Sequence, residues 1–275
     1  MSIKELVNDF LSEVKITKSN NTYTNYMIHL REFVNFCEEH KIEDILTWNG
    51  KETKNYRNYL VSKGYKASTV NTKISALKSF FDYLVEEQVL KGNPITSRVY
   101  LKQEQNTPRF LTEAELRKID LAIDSIRNDV GLLFKLQLST GIRLAEALNL
   151  KSEDILLIDN ALFVKVKGKG SKERIVPVLD EFTAKELLRL KNKNEGKIFN
   201  FSRSLVLYYA DVLKKKTGVD FHSHRLRHTV ATRLLNNGVQ IDVVQQVLGH
   251  ASISTTRRYA KTSNEAVKRL AVKIK

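Results

Sequence analysis

Apolar side chains recur at helical spacing through the first ninety residues. Ile3, Leu6, Val7, Phe10, Leu11 and Val14 form one 3.6-period stripe behind a Ser2–Glu5 capping box. A second stripe, over about 22–40, contains Tyr23, Tyr26, Met27, Leu30, Phe33, Val34 and Cys37. A third, near 52–63, carries Tyr56, Tyr59 and Leu60 and stops at Gly64. A fourth runs from Ser68 to Leu90 through Val70, Ile74, Leu77, Phe80, Phe81 and Leu84, with Gly92-Asn93-Pro94 as its end signal. Four amphipathic helices with short connections predict a small bundle. Its aromatic residues are expected in the core rather than on a base-stacking surface. Lys15, Lys18, Lys66, Lys73 and Lys78 are interleaved with them, either as a phosphate-contacting face or as ordinary solvated charge.

Periodicity lapses over 95–109, ITSRVYLKQEQNTPR, which reads as a linker. A new capping box, Thr112 with Glu115, opens a second domain with helices expected at about 113–126 and 128–138. Strict alternation appears only afterwards. Leu162, Val164 and Val166 face one way, Gly168-Lys169-Gly170-Ser171 interrupts, and Arg174-Ile175-Val176-Pro177-Val178 follows. This predicts a β-hairpin with a lysine at its tip. Helices resume at about 181–191 and 203–216 and continue towards the C-terminus. The expected fold is mainly α with a small β-sheet, an α+β plan. It comprises a helical domain over 1–94, a linker over 95–109 and a second domain over 110–275.

Charge adds a partner to this picture. Lys and Arg number 46 against 31 Asp and Glu, a formal +15. The first hundred residues carry 14 basic and 12 acidic side chains, leaving 32 against 19 for the remainder. Such asymmetry implies a polyanion held mainly by the second domain, and nucleic acid is the natural candidate. No apolar run approaches the roughly 18 residues of a membrane span, and the charged N-terminus is unlike a signal peptide. The single cysteine, Cys37, has no internal disulfide partner, which suits a reducing cytoplasm.

The densest polar chemistry lies between His224 and Tyr259. His224 and His228 have the spacing of two zinc ligands on a helix, but Arg225 and Arg227 beside them oppose a divalent cation. Gly168-Lys169-Gly170 sits between strands rather than between strand and helix, so it is not a nucleotide-binding loop. No Gly-x-Ser-x-Gly elbow is present for a serine hydrolase. Transesterification at a phosphodiester fits better. It needs a nucleophile such as tyrosine, guanidinium forks for the phosphate oxygens, and a proton donor for the departing oxygen. Arg143, Lys169, His224, Arg227, His250 and Tyr259 supply those types. Taken singly, each also has a plain structural explanation.

Jointly they carry a resemblance. Thr140-Gly141-Ile142-Arg143-Leu144-Ala145-Glu146 closely resembles the first motif of the tyrosine recombinases, the phage-integrase family. His224-Arg225-Leu226-Arg227-His228 is similar to that family's His-x-x-Arg box. Leu248-Gly249-His250, with Tyr259 nine residues later, is similar to its terminal motif, and the Lys169 turn to its lysine-bearing hairpin. The resemblance spans the second domain, and the helical first domain looks like the family's core-binding domain. Xer-type recombinases share the compact plan, and the length leaves no room for an additional arm-binding domain.

The resemblance implies that Arg143 and Arg227 hold the scissile phosphate and that Lys169 protonates the 5′-oxygen, with Lys167 and Lys172 as alternatives on the same turn. It further implies that His224 moves the nucleophile's proton, His250 donates to phosphate, and Tyr259 attacks phosphorus without metal or other cofactor. Glu146 either orients Arg143 or forms a solvated i,i+3 pair. Ala266, Val267, Leu270, Ala271 and Ile274 mark an apolar helix at about 263–275, which packs either on its own domain or on a neighbouring protomer. The implied partners are double-stranded DNA sites, clamped by the two domains, and further copies of the chain, as dimers and tetramers on DNA. Dimer resolution, integration of a mobile element, a type IB topoisomerase and a DNA-binding accessory factor remain as alternative functions.

Overall fold

The computed structural model describes residues 2–103, 110–168, 173–193 and 195–249. The chain divides into two compact units, Met1–Gln105 and Asn106–Lys275. The architecture is mostly helical with one small antiparallel sheet, the fold class read from the sequence.

The first unit contains α1 (Ile3–Thr17), α2 (Asn20–Glu39), α3 (Gly50–Ser62) and α4 (Ala67–Glu86). Their starts follow local chemistry. The Ser2 hydroxyl accepts from the Glu5 N–H, and the Glu5 carboxylate accepts from the Ser2 N–H at 2.8 Å. Ser19 and Asn49 cap α2 and α3 in the same manner, each supplying a partner to an otherwise orphaned amide. The helix α4 stops earlier than its apolar stripe predicts. Gln88 adopts a positive φ of 60°, and the Val89 and Leu90 amides both turn back to the Leu84 carbonyl. The Asn93 side chain then donates to the Lys78 carbonyl and the Asp82 carboxylate, drawing the chain back along the helix.

Aromatic residues form this unit's core, as expected. Phe33, Tyr56, Phe80 and Phe81 are fully buried, and the Phe33 and Trp48 rings meet edge-on at 5.0 Å. Two expectations fail. Met27 is exposed, because the stripe of α2 turns past it to Leu30 and Phe33. Lys73 does not belong to a phosphate-contacting face. Its place between Val70, Ile74 and Leu77 puts it on the inner side of α4. There it is buried, paired with Glu32 and stacked over the Tyr65 ring. Lys78 is paired with Asp82, whereas Lys15, Lys18 and Lys66 are exposed.

The second unit runs α5 (Glu113–Ile123), α6 (Asn128–Thr140), α7 (Leu144–Leu148), β1 (Ile155–Ile158), β2 (Ala161–Lys167), β3 (Glu173–Pro177), α8 (Glu181–Lys193), α9 (Arg203–Thr217), α10 (Ser223–Asn236) and α11 (Ile241–Leu248). The sheet order is β1-β2-β3, with Ile158 opposite Ala161 and Lys167 opposite Glu173. Strand β1 was not expected, because Ile155-Leu156-Leu157-Ile158 lacks alternation. Its turn residues Asp159 and Asn160 both take positive φ, the backbone a tight two-residue hairpin needs. Helix α6 is buried on nearly every side, including Val130, Leu133, Phe134 and Leu136, so the unit is built around it. Helix α10 packs on α6, and Ala231 of α10 forms a small cluster with Val244 and Leu248 of α11. The expected C-terminal helix at 263–275 lies outside the described residues.

Phe80→Ala is expected to destabilise the protein by about 3–5 kcal/mol, as emptying a dense aromatic core requires. Ile16→Ala, at a side chain 82% exposed, is expected to stay within about 0.5 kcal/mol of the parent. Urea unfolding followed by far-UV circular dichroism measures both.

Candidate active site

The site is built at the carbonyl end of α11. The last carbonyls of a helix have no intrahelical partner and carry the negative end of its dipole. Here three arginines from three other elements occupy them. Arg174 of β3 donates through Nε to the Val247 carbonyl at 2.9 Å. Arg227 of α10 donates through Nη2 to the Leu248 carbonyl. Arg143, at the start of α7, donates through Nη2 to the Gly249 carbonyl at 3.1 Å.

The same arginines tie that helix end to the rest of the unit. Arg227 also donates to the Gly141 carbonyl at 2.9 Å, across 86 residues of sequence. Gly141 ends α6 with φ of 68°, the left-handed conformation that glycine adopts without strain. A Cβ at Gly141 would lie 2.5 Å from Leu248 Cδ2, so this position requires glycine for space as well. Two residues later Arg143 begins α7. Its backbone N–H donates to Glu146 Oε2 at 2.8 Å and its Nη1 to Oε1 at 2.9 Å. Arg174 grips the same carboxylate with both fork nitrogens, at 3.0 and 2.8 Å.

Burial separates the roles of these groups. The side chains of Glu146 and Arg174 are 6% and 11% exposed, whereas that of Arg143 is 40% exposed. Glu146 is therefore no solvated surface partner. Burial acts to raise its carboxyl pKa, but hydrogen bonds from Arg174 and the Arg143 backbone win and hold it below the ordinary range. Arg227 is buried. Arg143 thus presents a guanidinium that is fixed from behind and open in front, able to receive an anion. It borders an open cleft of about 580 Å³ with Lys151, Lys165, Lys167 and Lys197. Lys167 is exposed and pairs with Glu173 at 3.5 Å.

His224 stands exposed on the first turn of α10. Desolvation of its ring lowers its pKa, and His222, Arg227, Arg143 and Arg203 push the same way. At neutral pH the imidazole is accordingly the neutral form, an acceptor for a proton. His228, one turn on, is pushed down to about 4, first by burial and then by His224, His222 and Arg227. Arg225, in the same motif, faces elsewhere. It pairs with Glu115 at 2.8 Å and donates to the Asp220 and Phe110 carbonyls.

Of the residues expected at the site, Arg143, Glu146 and Arg227 share one hydrogen-bonded cluster, and His224 lies within its electrostatic reach. Lys169, Lys172, His250 and Tyr259 lie outside the described residues. Arg174 was missed. Strand alternation puts it on the same face as buried Val176, and a charged side chain on an inner face demands a partner. That was the available signal. Among the described residues no group of His, Cys, Asp or Glu is arranged to hold a metal ion, and no helix is long and apolar enough to cross a membrane.

Residues 109–266 match the model of the Phage integrase family, and residues 7–88 that of its N-terminal SAM-like domain. A relative named Tyrosine recombinase XerC, from Staphylococcus saprophyticus, is 32% identical over 283 residues, covering 95% of this chain and 94% of that protein. The fold is similar to XerH site-specific recombinase bound to a palindromic difH substrate in a post-cleavage complex. There the TM-score is 0.78 at 22% identity, over 96% of this chain and 83% of the other. It is also similar to a lambda integrase dimer bound to a COC′ core site, with TM-score 0.72 at 21% identity, over 93% and 97% of the two chains.

Two of these shifted groups, His228 and Glu146, set separate limbs of a pH dependence. Between pH 6.5 and about 4 the unfolded chain protonates His228 while the folded chain resists, so stability falls as pH falls through that window. The Glu146 contribution is fully present above its ordinary value of 4.5 and is lost only as pH drops through its depressed folded value. His228→Gln is expected to flatten the fall in melting temperature between pH 6.5 and 4 while keeping the steeper loss below it. Differential scanning fluorimetry across pH measures both limbs.

Proposed function

The chain belongs to the phage integrase family, and on that premise we propose how this tyrosine recombinase cuts and rejoins DNA. Arg143 and Arg227 hold the non-bridging oxygens of the scissile phosphate, where the transition state concentrates negative charge. Tyr259 attacks phosphorus, forming a 3′-phosphotyrosyl ester while the bond to the 5′-oxygen breaks. Lys169 gives that oxygen its proton. His224, neutral at physiological pH, takes the proton of the Tyr259 hydroxyl, and His250 donates a hydrogen bond to the phosphate. Attack by a 5′-hydroxyl from the partner duplex reverses the chemistry and yields a Holliday junction. The ester retains the energy of the broken bond, so neither metal nor ATP enters the scheme.

The observation that carries this reading is the convergence of Arg143 and Arg227 on the α11 terminus that leads into His250 and Tyr259. Two arginines that are distant in sequence share one backbone anchor, and one of them remains open to an anion. Glu146 acts as the support of Arg143. In this scheme residues 1–94 are a core-binding domain on DNA, 95–109 a linker and 110–275 the catalytic domain. The segment at about 263–275 docks on a neighbouring protomer, giving two copies on each site and four in the synapse. The name of its relative, Tyrosine recombinase XerC, supports an Xer-type role over integration of a mobile element. In this scheme the role is resolution of chromosome or plasmid dimers in the cytoplasm.

Trapping the protein on cellular DNA and sequencing the attached strand identifies the recombination site. On nicked suicide duplexes of that sequence the wild-type protein is expected to accumulate a covalent 3′-adduct, and Tyr259→Phe to bind equally and form none. An adduct formed equally by Tyr259→Phe would overturn the nucleophile. Relaxation of supercoiled plasmid by a monomer, without strand exchange, would point to a topoisomerase instead.

A further inference from the structure

We propose that Arg174 is a positioning residue for DNA cleavage, a bracket that sets Arg143 and the exit of α11 from behind the site. The proposal rests on the reading of Arg143 as a phosphate-holding residue. Arg174 uses three sides of its guanidinium at once. Its two terminal nitrogens take both oxygens of Glu146, at 3.0 and 2.8 Å, and its Nε takes the Val247 carbonyl at 2.9 Å. Glu146 passes this constraint to Arg143 by accepting from both its backbone N–H and its Nη1. With Nη2 on the Gly249 carbonyl, the Arg143 fork is fixed on its protein side.

The bracket reaches a third segment as well. Arg174 pairs with Val166 in the sheet, one position from Lys167↔Glu173, the pair that flanks the sequence containing Lys169. One side chain therefore ties together the elements leading to Arg143, to Lys169 and to His250. Gly249 shows how closely the backbone lies against it. A Cβ there would fall 2.9 Å from Cζ, Nε and Nη1 of Arg174. Lysine cannot replace such a bracket, because its three donors radiate from a single nitrogen and do not span a carboxylate.

The test uses the full-length protein in single-turnover cleavage of two suicide duplexes. One has an ordinary scissile phosphodiester. The other carries a methylphosphonate there, with a non-bridging oxygen replaced by methyl and its charge removed. On the ordinary duplex Arg174→Ala and Arg174→Lys are each expected to cleave about 10- to 100-fold more slowly than wild type, the loss that a small misplacement of a catalytic group produces. On the neutral duplex most of that gap is expected to close, since the positioned charge has less to stabilise. A purely structural loss would persist on both duplexes, and that result would overturn the proposal. So would wild-type cleavage by Arg174→Lys. If Arg174→Ala does not fold, Arg174→Lys and Glu146→Gln carry the comparison, and Glu146→Gln is expected to show the same substrate dependence. A wild-type protein that forms no adduct on either duplex removes the recombinase chemistry and this proposal with it. Normal wild-type cleavage with unaffected variants removes the bracket alone.

Discussion

Three guanidinium groups meet the carbonyl end of one short helix, and the geometry of the second unit depends on that meeting. Val247, Leu248 and Gly249 offer carbonyls at the negative end of α11. Arg174, Arg227 and Arg143 approach them from β3, α10 and the start of α7. Hydrogen bonds to charged groups contribute about 1.5–3 kcal/mol each. Their directionality matters as much, because each one fixes both an arginine and a segment of main chain.

Gathering positive charge in one place has a cost that Glu146 offsets. It is the buried carboxylate between Arg143 and Arg174, and the hydrogen bonds of both keep it ionised against its burial. Removing one partner of such a buried pair costs about 3–5 kcal/mol, since the other charge is stranded. The cations are graded by access to solvent. Arg227 and Arg174 are held inside, while Arg143 keeps an open face. A fixed charge with one free side suits stabilisation of a developing anion, because it does not need to reorganise during the reaction.

Much of this was legible in the chain. Helical stripes located α1 to α4, and alternation located β2 and β3, because burial of one face imposes those periods. Motif spacing brought out Arg143, Glu146 and Arg227. Other features depend on the third dimension. Lys73 looked like surface charge until its inner position on α4 and its pairing with Glu32 were visible. Strand β1 has no alternation to reveal it, and its Asp159-Asn160 turn lacks the usual glycine. Arg174 seemed one basic residue among many, because its two partners, Glu146 and Val247, lie far from it in sequence. Arg225 shares a motif with Arg227, yet it serves the packing of α10 on Glu115, a division that motif spacing does not reveal.

Two glycines provide the most direct measurement of the central claim. Gly238 and Gly249 both hold positive φ, at 86° and 66°, so alanine strains the backbone at either. Only at Gly249 does a Cβ meet the Arg174 guanidinium, whereas at Gly238 nothing lies within 4 Å. The rate of covalent adduct formation by Gly249→Ala and Gly238→Ala, set against their melting temperatures, isolates the arginine-held helix end from ordinary backbone strain. Both variants are expected to lose about 1–2 kcal/mol of stability, with Gly249→Ala cleaving far more slowly while Gly238→Ala keeps near-parental cleavage. Equal cleavage by the two variants would contradict the dependence of the site on that helix end.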